Sequence, residues 1–393
     1  MKSVKQLGVV AGLVGCLVIG GNAEVAAQGG VGKRPAVPGG LTDKPYLKNL
    51  TGGIAIGGYM DHEFFLEEES STFDQHRFIP FIYATPTDYI HVSAEIEFEH
   101  GGNVGGDGEI KLEYAIMDWL LDDAFNVRGG VILSPLGRFN LLHDSPLNDL
   151  TNRPLVSRQL IPTTLSESGF GVFGAFYPSE WVIAYEAYLV NGFDNGVISG
   201  DRLRVRGGRG SQKDDNNENK ALVGRISVSP MLGIDFAASV HTGAYDDAGE
   251  NNLTIAAFDW DVVRGPFQVV GEAALVSADV DQPGAGLAAA SLADAIAESQ
   301  AGFYAQVSYH FGFGAIKRYP NSVFTGIARF DLVDFDSDVD GDDQQIATVG
   351  LNFRPVESAV AKIDYRWEWS RARGMTTWST PDNLLSLSLA TYF

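Results

Sequence analysis

The sequence predicts an all-β chain that closes into a transmembrane antiparallel β-barrel of about sixteen strands. Three observations carry that expectation. Apolar and polar residues alternate with period two along many segments, short and long connections alternate between those segments, and a secretory leader precedes them all.

The leader comes first. Lys2 and Lys5 precede an apolar run from Leu7 to Ile19, and small residues then lead to Val25, Ala26 and Ala27, so residues 1–27 read as a signal peptide cleaved after Ala27. The run is shorter than the roughly 20 apolar residues that a spanning helix needs, and no later segment approaches that length, which excludes a helical membrane protein. The single cysteine, Cys16, lies inside this leader, so the mature chain would hold no disulfide, thiolate metal site or cysteine nucleophile. Leu13-Val14-Gly15-Cys16 also matches a bacterial lipobox. Leu17, Val18 and Ile19 continue the apolar run where a lipoprotein turns polar, which favours the plain signal helix.

Cleavage removes Lys2, Lys5 and Glu24, taking the formal charge from −22 to −23. Such acidity, with no basic stripe, excludes nucleic acid as a partner. Residues 28–52 are rich in Gly, Pro and Lys without any period and read as a flexible periplasmic segment ahead of a barrel spanning 53–393.

From about Gly53 the strands begin. In "YIHVSAEIEFEH", Ile90, Val92, Ala94, Ile96 and Phe98 share one face, while His91, Ser93, Glu95, Glu97 and Glu99 share the other. "AKIDYRWEWS" repeats the pattern, as do 109–119, 124–134, 180–190, 221–229, 233–242, 300–311, 322–332 and 344–354. The last segment places Leu385, Leu387, Leu389, Thr391 and Phe393 opposite Ser386, Ser388, Ala390 and Tyr392. Tight connections such as "TPTD", "LLDDA", "PSE", "SPML" and "RGP" interleave with long ones at 135–167, 192–219, 279–299 and 371–382, as in bacterial barrels with short turns at one end. The polar faces carry too many charges for a dry interior, whereas a water-filled lumen demands no desolvation. Trp181, Trp260, Trp367, Trp369, many tyrosines and the final Phe393 then suit interfacial aromatic belts.

At sixteen strands the lumen is an aqueous channel. The segment after the fifth strand, "PLGRFNLLHDSPLNDLTNRPLVSRQLIPTTLSES", is long and stiffened by Pro135, Pro146, Pro154 and Pro162. It is expected to fold inward and narrow the lumen, with Arg138, His143, Asp144, Asp149, Arg153 and Arg158 as constriction candidates.

The stretch "GEIKLEYAIMDWLLDDAFNVRGGVILSPLGRFN", followed by that loop and "SESGFGVFGAFYP", resembles the bacterial phosphate-selective porin O/P family over residues 109–190. The resemblance implies a trimeric outer-membrane diffusion channel. It also implies that anion selectivity, where present, resides in lumen and inner-loop arginines, which by position are Arg128, Arg138, Arg153 and Arg158.

Alternation assigns further charges to the lumen. Glu95, Glu97, Glu99 and Glu113 would form one acidic arc, and Asp235, Asp259, Asp261 and Glu272 another, against Arg128, Arg225, Arg329, Arg354, Lys362 and Arg366. Opposed arcs would orient dipolar solutes; the same residues paired across strands would simply hold the wall. Both readings stand at this point.

Outside the strands, Asp336, Asp338, Asp340 and Gly341 carry the D-x-D-x-D-G spacing of a calcium loop, though position twelve is Ala347 rather than Glu. Loose calcium, bridging to lipopolysaccharide, is the metal reading, and a solvated acidic loop the plain one; no other cofactor is expected. Arg202, Arg204, Arg206, Arg209 and Lys213 gather in a second long loop, expected outside, where they would meet lipopolysaccharide phosphates or draw anions. "GGNVGGDG" lacks a P-loop ending and reads as a turn, and "GLAAASLADAIAESQ" as a short loop helix. No G-x-S-x-G, H-E-x-x-H or C-x-x-C-H occurs, so no enzyme is expected.

The expected function is passive diffusion of small hydrophilic solutes and ions across the outer membrane, by a homotrimer among lipid and lipopolysaccharide. Two other classes stand beside it: a barrel sheathing a multihaem cytochrome, and a rim enzyme whose first residues to inspect would be His143 and Asp144.

Overall fold

The computed structural model describes residues 48–49, 53–102, 108–200, 202–210, 212–281 and 295–393. The expected signal peptide at 1–27, almost all of the 28–52 segment and most of the expected loop helix near 286–300 lie outside the described residues.

Sixteen strands form one closed antiparallel barrel. They are β1 Ile54–Leu66, β2 Ser71–Thr87, β3 Ile90–Glu99, β4 Glu109–Asp122, β5 Phe125–Leu133, β6 Ser166–Phe176, β7 Val182–Val190 and β8 Ala221–Met231, followed by β9 Ile234–Ala244, β10 Asn252–Arg264, β11 Phe267–Ala278, β12 Ser299–Phe311, β13 Val323–Asp334, β14 Asp343–Val356, β15 Ala359–Arg371 and β16 Asp382–Tyr392. Each strand pairs with its sequence neighbour, and β16 returns to β1 in a register running from Leu385 opposite Leu66 to Tyr392 opposite Tyr59. Closure removes the two edges that such a sheet would otherwise expose. No described helix is long and apolar enough to cross a membrane, a test that does not bear on strands.

Alternation sorts the side chains as the sequence predicts. Ile82, Val92, Met117, Leu275, Val349, Leu387 and Leu389 point out and are exposed, whereas Glu95, Glu97, Glu272, Asp331, Ser386 and Ser388 point in and are buried. Exposed apolar side chains on an entire barrel wall are what contact with lipid tails requires. Leu387 sits at the middle of β16 and tests this face. Leu387→Arg should destabilise the barrel in lipid vesicles by about 2–4 kcal/mol in urea unfolding, while an inward Ser388→Thr should change it little.

Phe393 answers why the chain closes on an aromatic. Its amide donates to the Gly58 carbonyl at 2.9 Å, and its ring stacks on Phe78 at 5.5 Å on the outer face of the short-turn end. Many tyrosines depart from the expected belts: Tyr59, Tyr83, Tyr114, Tyr188 and Tyr392 are buried on the inner side, with the Tyr83 and Tyr114 hydroxyls 2.8 Å apart. For Tyr83, Tyr114, Tyr188 and Tyr392 the lumen supplies hydroxyl partners that lipid could not, whereas the buried Tyr59 hydroxyl has none among the described residues.

One glycine is fixed by the sheet. Gly130 of β5 has φ +132°, and a Cβ there would lie 2.1 Å from the Ala115 carbonyl oxygen of β4. No other residue type fits that approach.

Candidate constriction and lumen wall

The long connection after β5, residues 134–165, turns into the lumen. Gly137 makes the turn with φ +71°, and a Cβ on it would stand 2.7 Å from a Glu272 carboxylate oxygen. Two short helices follow, α1 Arg138–Leu141 and α2 Leu155–Gln159, the second preceded by Pro154. Glu272, fully buried on β11, accepts from the Arg138 amide at 2.5 Å, the Phe139 amide at 3.0 Å and the Ser157 hydroxyl at 3.1 Å. One carboxylate thus staples both helices by satisfying donors that short helices leave open.

Farther along, the loop crosses to the opposite wall. The Thr151 amide and hydroxyl donate to Asp364 of β15 at 3.0 and 2.6 Å, Asn152 reaches Ser386 of β16 at 3.2 Å, and the Leu155 amide donates to Asp331 of β13 at 2.8 Å. Removing the staple with Glu272→Ala leaves three donors unpaired, worth about 3 kcal/mol in all. The expected result is a noisier channel of higher conductance from a barrel that still migrates as folded in unheated gel samples.

The structure divides the six constriction candidates. His143 approaches Glu113 of β4 at 2.5 Å through Nε2 and the Asn140 carbonyl at 2.8 Å through Nδ1. Asp144 accepts from the Tyr392 hydroxyl at 2.9 Å, and Asp149 from Ser308 at 2.8 Å. Arg138 pairs with Asp261 at 2.6 Å. These four anchor the loop to the wall. His143 and Asp144 are both buried between the loop and the wall.

Arg153 and Arg158 differ. Neither has a carboxylate within 4.0 Å among the described residues; Arg153 donates to the Thr163 carbonyl at 3.2 Å, and its Nε and Nη2 have no acceptor, nor has Nε of Arg158. The second long loop joins them. It was expected to lie outside, and instead Val197, Leu203 and Val205 turn inward and pack with Leu155, Val156, Leu160 and Ile161 in one apolar cluster against the inner wall. Those three apolar residues are the signal that the expectation passed over. The turn brings Arg206 to the Thr163 carbonyl at 2.7 Å and Arg209 to the Thr164 carbonyl at 3.2 Å, again without carboxylate partners.

Four guanidiniums therefore share the interior of an acidic protein. Burial, then the charge of Arg77, holds Arg153 below its ordinary pKa; burial and Arg366 bring Arg158 to about 10, and burial with Arg209 and Arg153 brings Arg206 to about 10. Arg158 and Arg206 stay charged at neutral pH, in surroundings that penalise the charge.

The strand-borne charges read the other way. Arg128 pairs with Asp118 at 2.7 Å, Arg225 with Asp259 at 2.6 Å, Arg329 with Asp331 at 2.8 Å, Arg354 with Asp149 at 3.5 Å and Arg366 with Glu368 at 3.3 Å. Glu97 and Glu99 hold Arg77 at 2.8 and 2.7 Å, and Lys362 donates to the Ser145 carbonyl at 2.8 Å. Glu95 is fully buried beside this network. Of the two readings left open, pairing fits these groups better than opposed free arcs: the pairs of Arg77, Arg128 and Arg225 cross strands, those of Arg329 and Arg366 lie along one strand, and Arg354 and Lys362 reach the inward loop.

The acidic loop at 335–342 does not gather its carboxylates. Asp336 pairs with Arg373, its Oδ1 accepts from the Asp338 amide at 3.1 Å, and the Asp340 carbonyl accepts from the Gly374 amide at 2.6 Å. Among the described residues, the group of His and carboxylate side chains that does converge is Asp61, Glu63 and His76.

No protein-family model matches the chain. An uncharacterized protein of Aquifex aeolicus (strain VF5) is 29% identical over 346 residues, covering 80% of this chain and 75% of that protein. Among solved structures, the anion-selective porin from Comamonas acidovorans superposes with TM-score 0.56 at 9% identity, covering 86% of this chain and 99% of that one. The trimer form of OmpT, an outer membrane protein of Vibrio cholerae, gives 0.54 at 9% identity with coverage of 86% and 99%. The chain has the porin-like fold of outer-membrane β-barrel channels.

Proposed function

We propose that the protein is a passive outer-membrane channel for small hydrophilic solutes that prefers anions, with phosphate-type oxyanions among those that suit it. One observation carries the reading: among the described residues, Arg153, Arg158, Arg206 and Arg209 lie in the lumen with no carboxylate within 4.0 Å, while most strand-borne cations are paired in the wall. Guanidinium forks match oxyanions bidentately, and an anion passing them would supply the acceptors that Arg153 and Arg158 lack. The likeness of residues 109–190 to phosphate-selective porins supports the same preference.

The net charge of −22 pulls the other way at the mouths. Its reach is about a Debye length, roughly 8 Å at physiological salt, so the local field of the arginines decides inside. The inward loops also occupy the space that a sheathed cytochrome would need, which weighs against the sheath. A homotrimer embedded in lipid and lipopolysaccharide is the assembly proposed, in line with the trimeric likeness above.

Swelling of liposomes loaded with the purified barrel tests the reading directly. Swelling should be faster with small organic anions than with cations of equal size, and equal rates for the two would remove the arginines as the selective element.

A further inference from the structure

Asp61 and Glu63 are successive inward residues of β1, and both are buried. Across from them β2 contains a bulge: Arg77 pairs with Asp61 and Asp74 with Glu63, leaving Gln75 and His76 opposite His62 alone. Arg77 points inward, so strict alternation would send His76 out to lipid. The bulge turns it in instead, as bulges re-aim side chains. His76 Nδ1 then stands 2.8 Å from Glu63 Oε1 and 3.5 Å from Asp61 Oδ2, and the three ligand atoms all lie within 4.8 Å of one another.

We propose that Asp61, Glu63 and His76 form a binding site for a divalent first-row transition-metal ion, of which Zn²⁺ is the probe, on the lumen wall beside the constriction loop. The donor set comes first. One imidazole and two carboxylates suit such ions, whereas calcium and magnesium take oxygen alone.

Geometry is the second support. Ligands about 2.1 Å from a tetrahedral ion sit roughly 3.4 Å apart, close to the 3.5 Å found for Asp61 and within a small relaxation of the 2.8 Å found for Glu63. The third support is orientation. Glu63 Oε1 and His76 Nδ1 are buried and close, yet neither has a hydrogen-bond partner of acceptable angle. In a hydrogen-bonded pair the oxygen lies on the ring nitrogen's N–H axis. In a metal-bridged pair the ion takes that axis and the oxygen sits to its side, so two buried, close atoms without a hydrogen bond suit a shared ion.

The surroundings fit. The Ser388 hydroxyl donates to Asp61 Oδ1 at 2.7 Å and leaves Oδ2 facing His76, the kind of outer contact that orients a metal ligand. Gln75 donates to the Asp61 carbonyl at 3.2 Å and fixes the bulge. His100 stacks on His76 at 5.8 Å, and its Nδ1 is held by Asp74 at 2.9 Å. Two cations are near: Arg77 is engaged by Glu97 and Glu99, and Lys362 acts on Asp61 while its ammonium donates to Ser145. A Zn²⁺ ion must outcompete Lys362 for Asp61, and its double charge favours that exchange. His76 keeps 18% of its side chain exposed, which gives the ion an entry path and room for a water ligand.

The test uses the full folded barrel in detergent, stripped of metal and titrated with Zn²⁺ against a competing chelator. A single stoichiometric ion is expected, with affinity falling about tenfold or more in His76→Gln and in Glu63→Gln. His62→Gln, a ring stacked on Phe73 across from the bulge, should leave it unchanged. X-ray absorption at the zinc edge of the unmodified protein should show one imidazole nitrogen among oxygens, a result that needs no variant to fold. Absence of stoichiometric zinc, wild-type affinity in His76→Gln, or a spectrum without imidazole would each overturn the site. Binding is read without current, so its failure is separate from failure of the channel reading.

Discussion

Replacing Arg153, Arg158 and Arg206 together with alanine is expected to shift ion preference toward cations, read as the zero-current potential across a salt gradient in a planar bilayer. A unit charge about 5 Å from a passing ion in water is worth about 0.8 kcal/mol. Three such charges, partly screened, set the anion-to-cation permeability ratio by about tenfold, so the ratio should fall by that order. The effect is large because, among the described residues, none of these guanidiniums has a carboxylate within 4.0 Å. A neutral exchange in the wall is the contrast. Arg225→Gln combined with Asp259→Asn removes a 2.6 Å pair and should leave the potential near its original value while lowering stability. An unchanged potential in the triple variant would show that the selective field lies elsewhere.

Excising residues 143–161 in favour of a short Gly-Ser bridge should raise single-channel conductance severalfold and abolish the anion preference. That segment holds α2, Arg153, Arg158 and the contacts to Asp331, Asp364 and Ser386. A sixteen-strand barrel without it is an open aqueous tube. Strand pairing does not depend on the loop, because closure rests on the β16 to β1 register. The variant should therefore still fold. Val197, Leu203 and Val205 would lose the partners they pack against, so the second loop should fluctuate and the enlarged current should flicker. Conductance equal to that of the full chain would mean that the loop does not set the width.

The strands were legible because one physical rule, alternation between lipid and water, acts on nearly every residue of them. The faces of Glu95, Asp259, Lys362 and Leu387 followed from it. Exceptions arose where the backbone breaks the rule or where a loop must find its own packing. His76 was unreadable because a single-residue bulge reverses its direction. Tyr83 and Tyr392 lie inside the barrel, where Tyr114 and Asp144 supply hydroxyl partners. The inward course of residues 134–165 could be inferred from length and proline content, but which of its charges would stay unpaired could not. Arg138 looks like Arg153 and Arg158 in sequence, and its pairing with Asp261, far away in the chain, is what separates an anchor from cations without a carboxylate partner. Arg206 and Arg209 read from sequence as part of an outer basic loop, since Val197, Leu203 and Val205 reveal its inward direction only beside Leu155 and Ile161.

The zero-current potential of the unmodified protein in a planar bilayer, under a tenfold potassium chloride gradient, tests the central claim most directly. Discrete conductance steps with a potential of the anion-selective sign are the predicted result. Steps of cation-selective sign would mean that the acidic bulk outweighs the lumen arginines, and a correctly folded barrel without steps would contradict the channel itself.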